Sequence, residues 1–344
     1  MSEDVRIKLQ ASASGQNMRK RQSPKRKKSV TKEQAPKPKV EIQETVSPEY
    51  DSSEIEQHAN VLFKPNEGPQ TEFLAAAERE VLYGGSAGGG KSYAMLADPL
   101  RYMGHPQFSG LLLRHTTEEL RELIFKSQEL YPKIWPGIKW SERKMQWTAP
   151  SGARLWMSYL DRDDDVLRYQ GLAFSWIGFD ELTQWATPYA WNYMRSRLRS
   201  TAPDLPIYMR ATTNPGGRGH HWVKKMFIDP APYNRAYDAT DIETGEVLRY
   251  PAGHAKAGRP LYKRRFIPAR LSDNPYLAES GDYEAMLLSM PEQQRRQLLD
   301  GDWDIKEGAA FTEFDRNIHV VEPFDIPSNW VKFRACDYGY GSYS

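Results

Sequence analysis

Eight consecutive residues, Gly85-Ser86-Ala87-Gly88-Gly89-Gly90-Lys91-Ser92, match the pattern Gly-x-x-x-x-Gly-Lys-Ser in full. Each residue type suits the binding of a nucleotide's phosphates. Glycines let the backbone curl until its N–H groups point inward at phosphate oxygens, an anion nest with no side-chain charge of its own. Lys91 adds a flexible point charge for the β- and γ-phosphates. The Ser92 hydroxyl is a hard oxygen ligand suited to Mg²⁺. A helix predicted to begin at Lys91 aims its positive end at the same place. By average residue usage the pattern arises by chance in roughly one chain per hundred of this length. Here it also lies between a predicted strand and a predicted helix, the context that separates it from a Gly-rich loop without nucleotide.

About ninety residues on, the apolar run Phe174-Ser175-Trp176-Ile177-Gly178-Phe179 ends in Asp180-Glu181. Such a strand, placed beside the strand of the phosphate loop, brings two carboxylates to the carboxyl edge of a sheet, where ligands bind. Asp180 is then positioned to hold Mg²⁺ or its waters. Glu181 is positioned to orient and deprotonate an attacking water. The competing reading is a helix cap, since acids also suit a helix N-terminus. A further strand, Ile207–Ala211, runs into Thr212-Thr213-Asn214-Pro215-Gly216-Gly217. Polar side chains at a third strand end can sense the γ-phosphate and pass its loss to a moving element; otherwise this is an ordinary Asn-Pro-Gly turn.

The elements that must carry these residues alternate: strand Glu80–Tyr83, helix Lys91–Met103, strand Gly110–Arg114, helix Thr116–Tyr131. The second helix opens on a capping-box pattern, Thr116 with Glu119, and puts Leu120, Leu123, Ile124 and Leu130 on or near one face. Lys144–Thr148, a turn at Ala149–Gly152 and Ala153–Leu160 alternate as a hairpin does, so Trp147 and Trp156 read as core. The near-continuous apolarity of Phe174–Phe179 suits a central parallel strand. Strand and helix repeated in this way predict an α/β fold, a mostly parallel sheet with helices on both faces. Residues 250–276, rich in Pro and Gly, read as loop, and Tyr283–Leu299 as a helix-rich segment broken at Pro291.

Composition sets limits. The chain of 344 residues is 39% hydrophobic and 12% aromatic, enough for one large core or two smaller ones. No apolar run approaches the ~18 residues that a spanning helix needs, so no membrane association is expected. No apolar segment follows the basic N-terminus, so it does not read as a secretory signal. The single cysteine, Cys336, suits a reducing cytosol and cannot form an internal disulfide or a Cys-based metal cluster. The net charge of +2 conceals an asymmetry: residues 1–40 hold 12 Lys or Arg against three acids, and residues 41–60 hold six acids and no base. With no periodicity, residues 1–60 read as a disordered tail. Residues 61–344 balance at 35 basic against 36 acidic, so a nucleic-acid surface there must be a local patch. Candidates are Arg195/Arg197/Arg199, Lys224/Lys225 and Lys263/Arg264/Arg265, each more often a solvated face. His220-His221 has no acids or cysteines at metal-ligand spacing and reads as a loop pair.

From about Gly68 onward these residues resemble the large terminase subunit of tailed bacteriophages. Gly68-Pro69-Gln70-Thr71-Glu72-Phe73 is similar to that family's adenine-contacting segment, with Gln70 as the reader. GGSAGGGKS resembles its Walker A, Trp176 to Leu182 (WIGFDEL) its Walker B, and ATTNPGG, with Thr212, Thr213 and Asn214, its coupling motif. Ser272–Tyr276, Leu299–Trp303 and Glu307–Phe311 resemble the segment that leads out of the motor. The resemblance implies an ASCE/RecA-like P-loop NTPase at 61–270, a lid or linker at 271–330, and the first strand of an RNase H-like nuclease at 331–344. It further implies an ATP-driven, Mg²⁺-dependent motor that moves double-stranded DNA into a procapsid. Its expected setting is the host cell cytoplasm, in a homo-oligomeric ring with portal protein and small terminase subunit as partners.

Within that resemblance Trp330 to Gly339 (WVKFRACDYG) places Asp337 as a first nuclease metal ligand, in a sequence that stops at Ser344. One carboxylate cannot assemble a two-metal site, so the chain reads as truncated there and DNA cleavage is not expected. A ring motor of this kind needs an arginine from a neighbour for the γ-phosphate. The resemblance points to Arg168, in Leu167-Arg168-Tyr169-Gln170-Gly171, with Arg114 as runner-up; either could instead be a structural ion-pair partner. Two alternatives remain: a helicase-like DNA-dependent ATPase, against which stand the segments after 270 and the lack of a second helicase-type domain, and a nucleotide-binding docking module without turnover, against which stands Glu181.

Overall fold

The computed structural model describes residues 63–305 and 326–331. The predicted tail at 1–60, Glu307–Phe311 and Asp337 lie outside the described residues. Residues 63–305 fall within one compact unit. In the other unit, the described stretch 326–331 contains a turn in which the Trp330 amide donates to the Pro327 carbonyl at 3.1 Å. No described helix is long and apolar enough to cross a membrane.

A short helix α1 (Pro69–Ala75) precedes β1 (Glu80–Gly85), the phosphate loop and α2 (Lys91–Ala97). Then come β2 (Ser109–Arg114), α3 (Thr117–Ile134), β3 (Lys139–Ser141), β4 (Gln146–Thr148), β5 (Arg154–Tyr159), β6 (Trp176–Phe179), β7 (Tyr208–Thr213), β8 (Tyr237–Asp238) and β9 (Lys263–Ala269). Among the described residues, nine strands form one sheet in the order β3-β4-β5-β2-β6-β7-β1-β9-β8. The stretch from β5 to β9 is parallel throughout, with antiparallel pairs at both edges. Because strand side chains alternate, the apolar strands feed two faces. Leu111, Leu113, Ile177, Phe179, Met209 and Ala211 pack with Trp191, Val223 and Phe227. Leu112, Leu155, Met157, Trp176 and Tyr208 pack on the other face with residues of α2 and α3. Trp147 is buried in that second core, and Trp156 is half-buried against Phe174. The predicted helices-on-both-faces α/β architecture is what the chain forms.

Two local predictions change. Lys91–Met103 is not one helix: α2 gives way at Asp98 to a 3-10 turn, Asp98–Tyr102. Pro99 has no N–H to continue the ladder. The buried Asp98 carboxylate is taken by Trp176 Nε1 (2.7 Å) and Arg101 (2.9 Å). Nor are residues 250–276 all loop, since β9 runs beside β1. Its Lys263-Arg264-Arg265 start reads as polar only until its partners are known. Arg264 Nε meets Glu80 Oε2 at 2.7 Å and Arg265 meets Glu72 at 3.0 Å. By contrast, the capping box of α3 forms as read: the Glu119 amide donates to Thr116 Oγ1 and the Thr116 amide to Glu119 Oε2, each at 3.4 Å.

Candidate active site

The phosphate loop curls where its glycines permit it, with Gly85, Gly88 and Gly90 at φ of 136°, 79° and 74°. Those left-handed values are cheap only for glycine. Its carbonyls are drawn outward and held one by one. Lys91 Nζ donates to Ser86 O (2.6 Å), Asn274 Nδ2 to Gly88 O (2.6 Å), Tyr83 Oη to Gly89 O (2.7 Å) and Gln70 Nε2 to Gly90 O (2.9 Å). Among the described residues the amides of Gly88, Gly89 and Gly90 donate to no backbone carbonyl. Outward carbonyls with inward amides make an anion nest. The Ser86 and Ala87 amides are committed instead, to Ala269 O at 2.9 Å and Leu298 O at 2.6 Å. Ser92 sits one residue into α2, partly exposed. Gln70 is buried against the loop, its Oε1 accepting from the Asn66 amide at 2.6 Å. Each end of its amide still has one hydrogen-bonding position left.

The phosphate loop is closed from behind by the chain that follows β9. Gly301, at φ 64°, approaches so closely that a Cβ there would lie 2.9 Å from Gly85 C and Ser86 N. Both are backbone atoms, which cannot yield as a flexible side chain would. Gly301→Ala is therefore expected to weaken ADP binding by about tenfold or more through strain on the loop. Titration with a fluorescent ADP would measure it, with circular dichroism confirming an unchanged fold; wild-type affinity in the variant would contradict the close approach.

The strand order changes one expectation and improves the site. β6 is not beside β1: β7 lies between them, paired to both. Thr212, Thr213 and Asn214 therefore end between the phosphate loop and the acidic pair. Asn214 bridges the two, with Oδ1 accepting from Lys91 Nζ at 2.7 Å. Its backbone N–H and its Nδ2 donate to Glu181 Oε2 and Oε1 at 3.3 and 3.4 Å. Thr212 Oγ1 donates to Asp180 Oδ1. Thr213 and Thr183 hydroxyls meet at 2.7 Å, fixing the turn after Glu181.

Glu181 adopts φ 58°, ψ 58°. Such left-handed backbone in a non-glycine residue costs about 1–3 kcal/mol and collects at functional positions. Part of Glu181 reaches the surface, yet its carboxylate lies among other groups. Burial pushes its pKa above the usual carboxylate range, against the pull of Lys91. Burial likewise draws the Lys91 ammonium down, opposed by Glu181 and Asp180. Asp180 is 1% exposed, and its Oδ2 has no hydrogen-bond partner. A buried, under-satisfied carboxylate oxygen beside a phosphate nest fits Mg²⁺. The described residues form no group of three or more His, Cys, Asp or Glu that could cage a metal.

The candidate arginines separate. Arg168 has a side chain 46% exposed, paired with Asp165 at 3.0 Å and lying over the Tyr159 ring. The structure does not bring it among the residues of the phosphate loop. Arg114 is buried inside the site, its Nε 2.8 Å from Asp180 Oδ2, and is not available to a neighbour. The basic clusters are largely committed within the chain. Arg195 and Arg264 share Glu80, Lys224 pairs with Asp229 and Asp304, Lys263 pairs with Asp238, and Arg199 donates to the Gly171 carbonyl.

His220 is no loop residue. It opens a helical turn, is buried, and stacks on Trp303 at 5.3 Å. Its Nδ1 accepts from the Gly216 amide at 2.9 Å, and Nε2 lies 3.1 Å from the Trp303 carbonyl. It thus ties the Asn-Pro-Gly-Gly loop to the chain after β9. Sequence reasoning missed this residue, and missed Tyr83, Asn66 and Asn274 as holders of the phosphate loop. Only the Asn-Pro context of Asn274 gave any signal.

A glycine-rich nest on β1, an acidic strand end on β6 and a polar strand end inserted between them define a P-loop NTPase of the ASCE type. More narrowly, residues 82–318 match the family described as terminase large subunit, T4likevirus-type, N-terminal, and the chain belongs to that family. Among solved structures it is similar to the large terminase of a thermophilic bacteriophage, with 17% identity and a TM-score of 0.50 over 76% of this chain and 59% of that one. A second structure of that terminase, in complex with ADP, matches at 16% identity and a TM-score of 0.49, over 77% of this chain and 60% of that one. The ATPase domain of a Thermus phage large terminase matches at 13% identity and 0.44, over 70% of this chain and 94% of that one. The chain thus spans about 60% of the length of the first of these terminases. A search of curated proteins finds no match.

Proposed function

We propose that this chain is the ATPase part of a DNA-packaging motor, hydrolysing ATP with Mg²⁺ to move double-stranded DNA into a procapsid. The observation that carries this reading is Asn214, hydrogen-bonded at once to Lys91 and to Glu181. A change at the γ-phosphate that displaces Lys91 is felt directly at the end of β7, and from there through His220 at Trp303. That is the connection a motor needs between hydrolysis and movement.

In this reading the amides of Gly88–Gly90 and Lys91 receive the phosphates, and Gln70 supports the loop and faces the adenine. Ser92 and Asp180 would hold Mg²⁺, which supplies charge neutralisation of the phosphates. Glu181 takes a proton from the attacking water, and its raised pKa makes it a stronger base than an ordinary carboxylate. Asn214 keeps that carboxylate aimed. The partners are double-stranded DNA, portal protein, small terminase subunit and further copies of this chain in a ring, in the host cell cytoplasm.

Arg168, exposed and outside its own phosphate loop, is the residue we assign to a neighbour's γ-phosphate. Adding Arg168→Ala protein to wild type is then expected to lower ATP turnover more steeply than dilution does. A linear fall with dose, with the isolated monomer at full rate, would move the arginine elsewhere. The broader reading is tested by ATP turnover with and without portal and procapsid, which should stimulate it; an unchanged rate would count against a packaging motor.

A further inference from the structure

Arg114 and Asp180 make an ion pair that is close but poorly directed. Nε and Oδ2 are 2.8 Å apart, yet neither atom has a partner at hydrogen-bond geometry. Both side chains are buried, at 11% and 2% exposed, so water does not make up the difference. A second carboxylate stands near the guanidinium at a different nitrogen, with Glu119 Oε2 at 3.9 Å from Arg114 Nη1. Glu119 is held ready. Gln184 Nε2 donates to its Oε1 at 2.8 Å, and the Thr116 amide reaches Oε2 at 3.4 Å. Glu119 thereby joins the start of α3 to the turn just after Glu181. The site also contains Lys91 and Glu181, so Asp180 and Glu181 face one ammonium and one guanidinium before any ligand enters.

We propose that Arg114 is a positioning residue that serves as the internal counter-ion of Asp180, and that it yields this carboxylate to a divalent cation by shifting onto Glu119. This rests on the reading of Asp180 as a metal-holding residue. It explains why a buried arginine ends β2, why its contact with Asp180 is close without being well satisfied, and why a helix-capping carboxylate also reaches across to it. A cation that must displace Arg114 binds less tightly than one meeting a bare carboxylate. Without the Glu119 carboxylate, Arg114 loses the acceptor nearest to it after Asp180 and is held more firmly there.

Loss of Arg114 and loss of Glu119 therefore predict opposite signs. With the 344-residue protein, fluorescent ADP is titrated in Mg²⁺ and in EDTA, and the ratio of the two affinities is read. Arg114→Gln should raise that ratio about tenfold, as expected when one close charge is removed from a buried site. Arg114→Lys, which keeps the charge, should stay within about twofold of wild type. Glu119→Gln should lower the ratio. A purely structural arginine would weaken binding equally in Mg²⁺ and EDTA and leave the ratio unchanged, which overturns the proposal, as does a fall in the ratio for Arg114→Gln. Titration of Mn²⁺ alone, followed by electron paramagnetic resonance, reads the same exchange without nucleotide. Tighter Mn²⁺ binding by Arg114→Gln supports the proposal, and unchanged binding overturns it. Failure of wild-type protein to bind ADP would count against the nucleotide reading, while the Mn²⁺ arm still decides the role of Arg114.

Discussion

Glu181→Gln is expected to lower kcat by about 10²-fold or more, the scale of a lost general base, while ADP binding stays near wild type. The amide keeps the volume of the side chain, and its one oxygen can still accept from one of the two Asn214 N–H groups that donate to the Glu181 carboxylate. It loses the proton-accepting oxygen. Lys91→Ala is the contrasting change, because Lys91 serves the phosphates themselves and its loss weakens binding as well as turnover. The pH profile gives an independent check. Burial places the Glu181 pKa above the usual carboxylate range, and the base works only when deprotonated. Wild-type turnover should therefore fall as pH drops through a value higher than that of a free carboxylate, and the residual activity of Glu181→Gln should lack that limb. An unchanged kcat in Glu181→Gln would remove Glu181 from the chemistry.

Glu80→Gln is expected to cost about 3–5 kcal/mol of stability, because it leaves two guanidinium groups without their shared buried anion. Arg195 Nε and Arg264 Nε sit 2.5 and 2.7 Å from the two oxygens of Glu80, which is fully buried at the start of β1. In a domain of this size that loss lowers Tm by roughly 10 °C. Burial alone would raise the Glu80 pKa, but Arg264 and Arg195 outweigh it and hold it below the ordinary value. The contribution is thus present above about pH 4.3, the unfolded carboxylate value, and is lost as pH falls through the lower folded value. Thermal melts followed by circular dichroism at neutral and acid pH test this. The gap between wild type and variant should narrow in acid, and a shift below about 2 °C at neutral pH would show that the triad adds little.

The features the sequence determined by itself are those set by local forces. The phosphate loop follows from torsions that only glycine reaches cheaply, and the α3 cap from residues three apart whose backbone and side chains satisfy each other. β6 and β7 follow from apolar runs that have nowhere to go but a buried sheet, and their polar ends follow from where those runs stop. What only tertiary structure decided involves partners far apart in the chain. Glu80 and Arg264 are 184 residues apart, and until they meet, Lys263-Arg264-Arg265 has the charge of a surface cluster and hides a strand. Nothing near Arg114 in sequence tells that Asp180 will stand beside it, and His220 looks like a loop residue until Trp303 covers it. The insertion of β7 between β1 and β6 belongs to the same class. Each strand is legible alone, but their order is set by packing of the whole sheet, and that order is what puts Asn214 between Lys91 and Glu181.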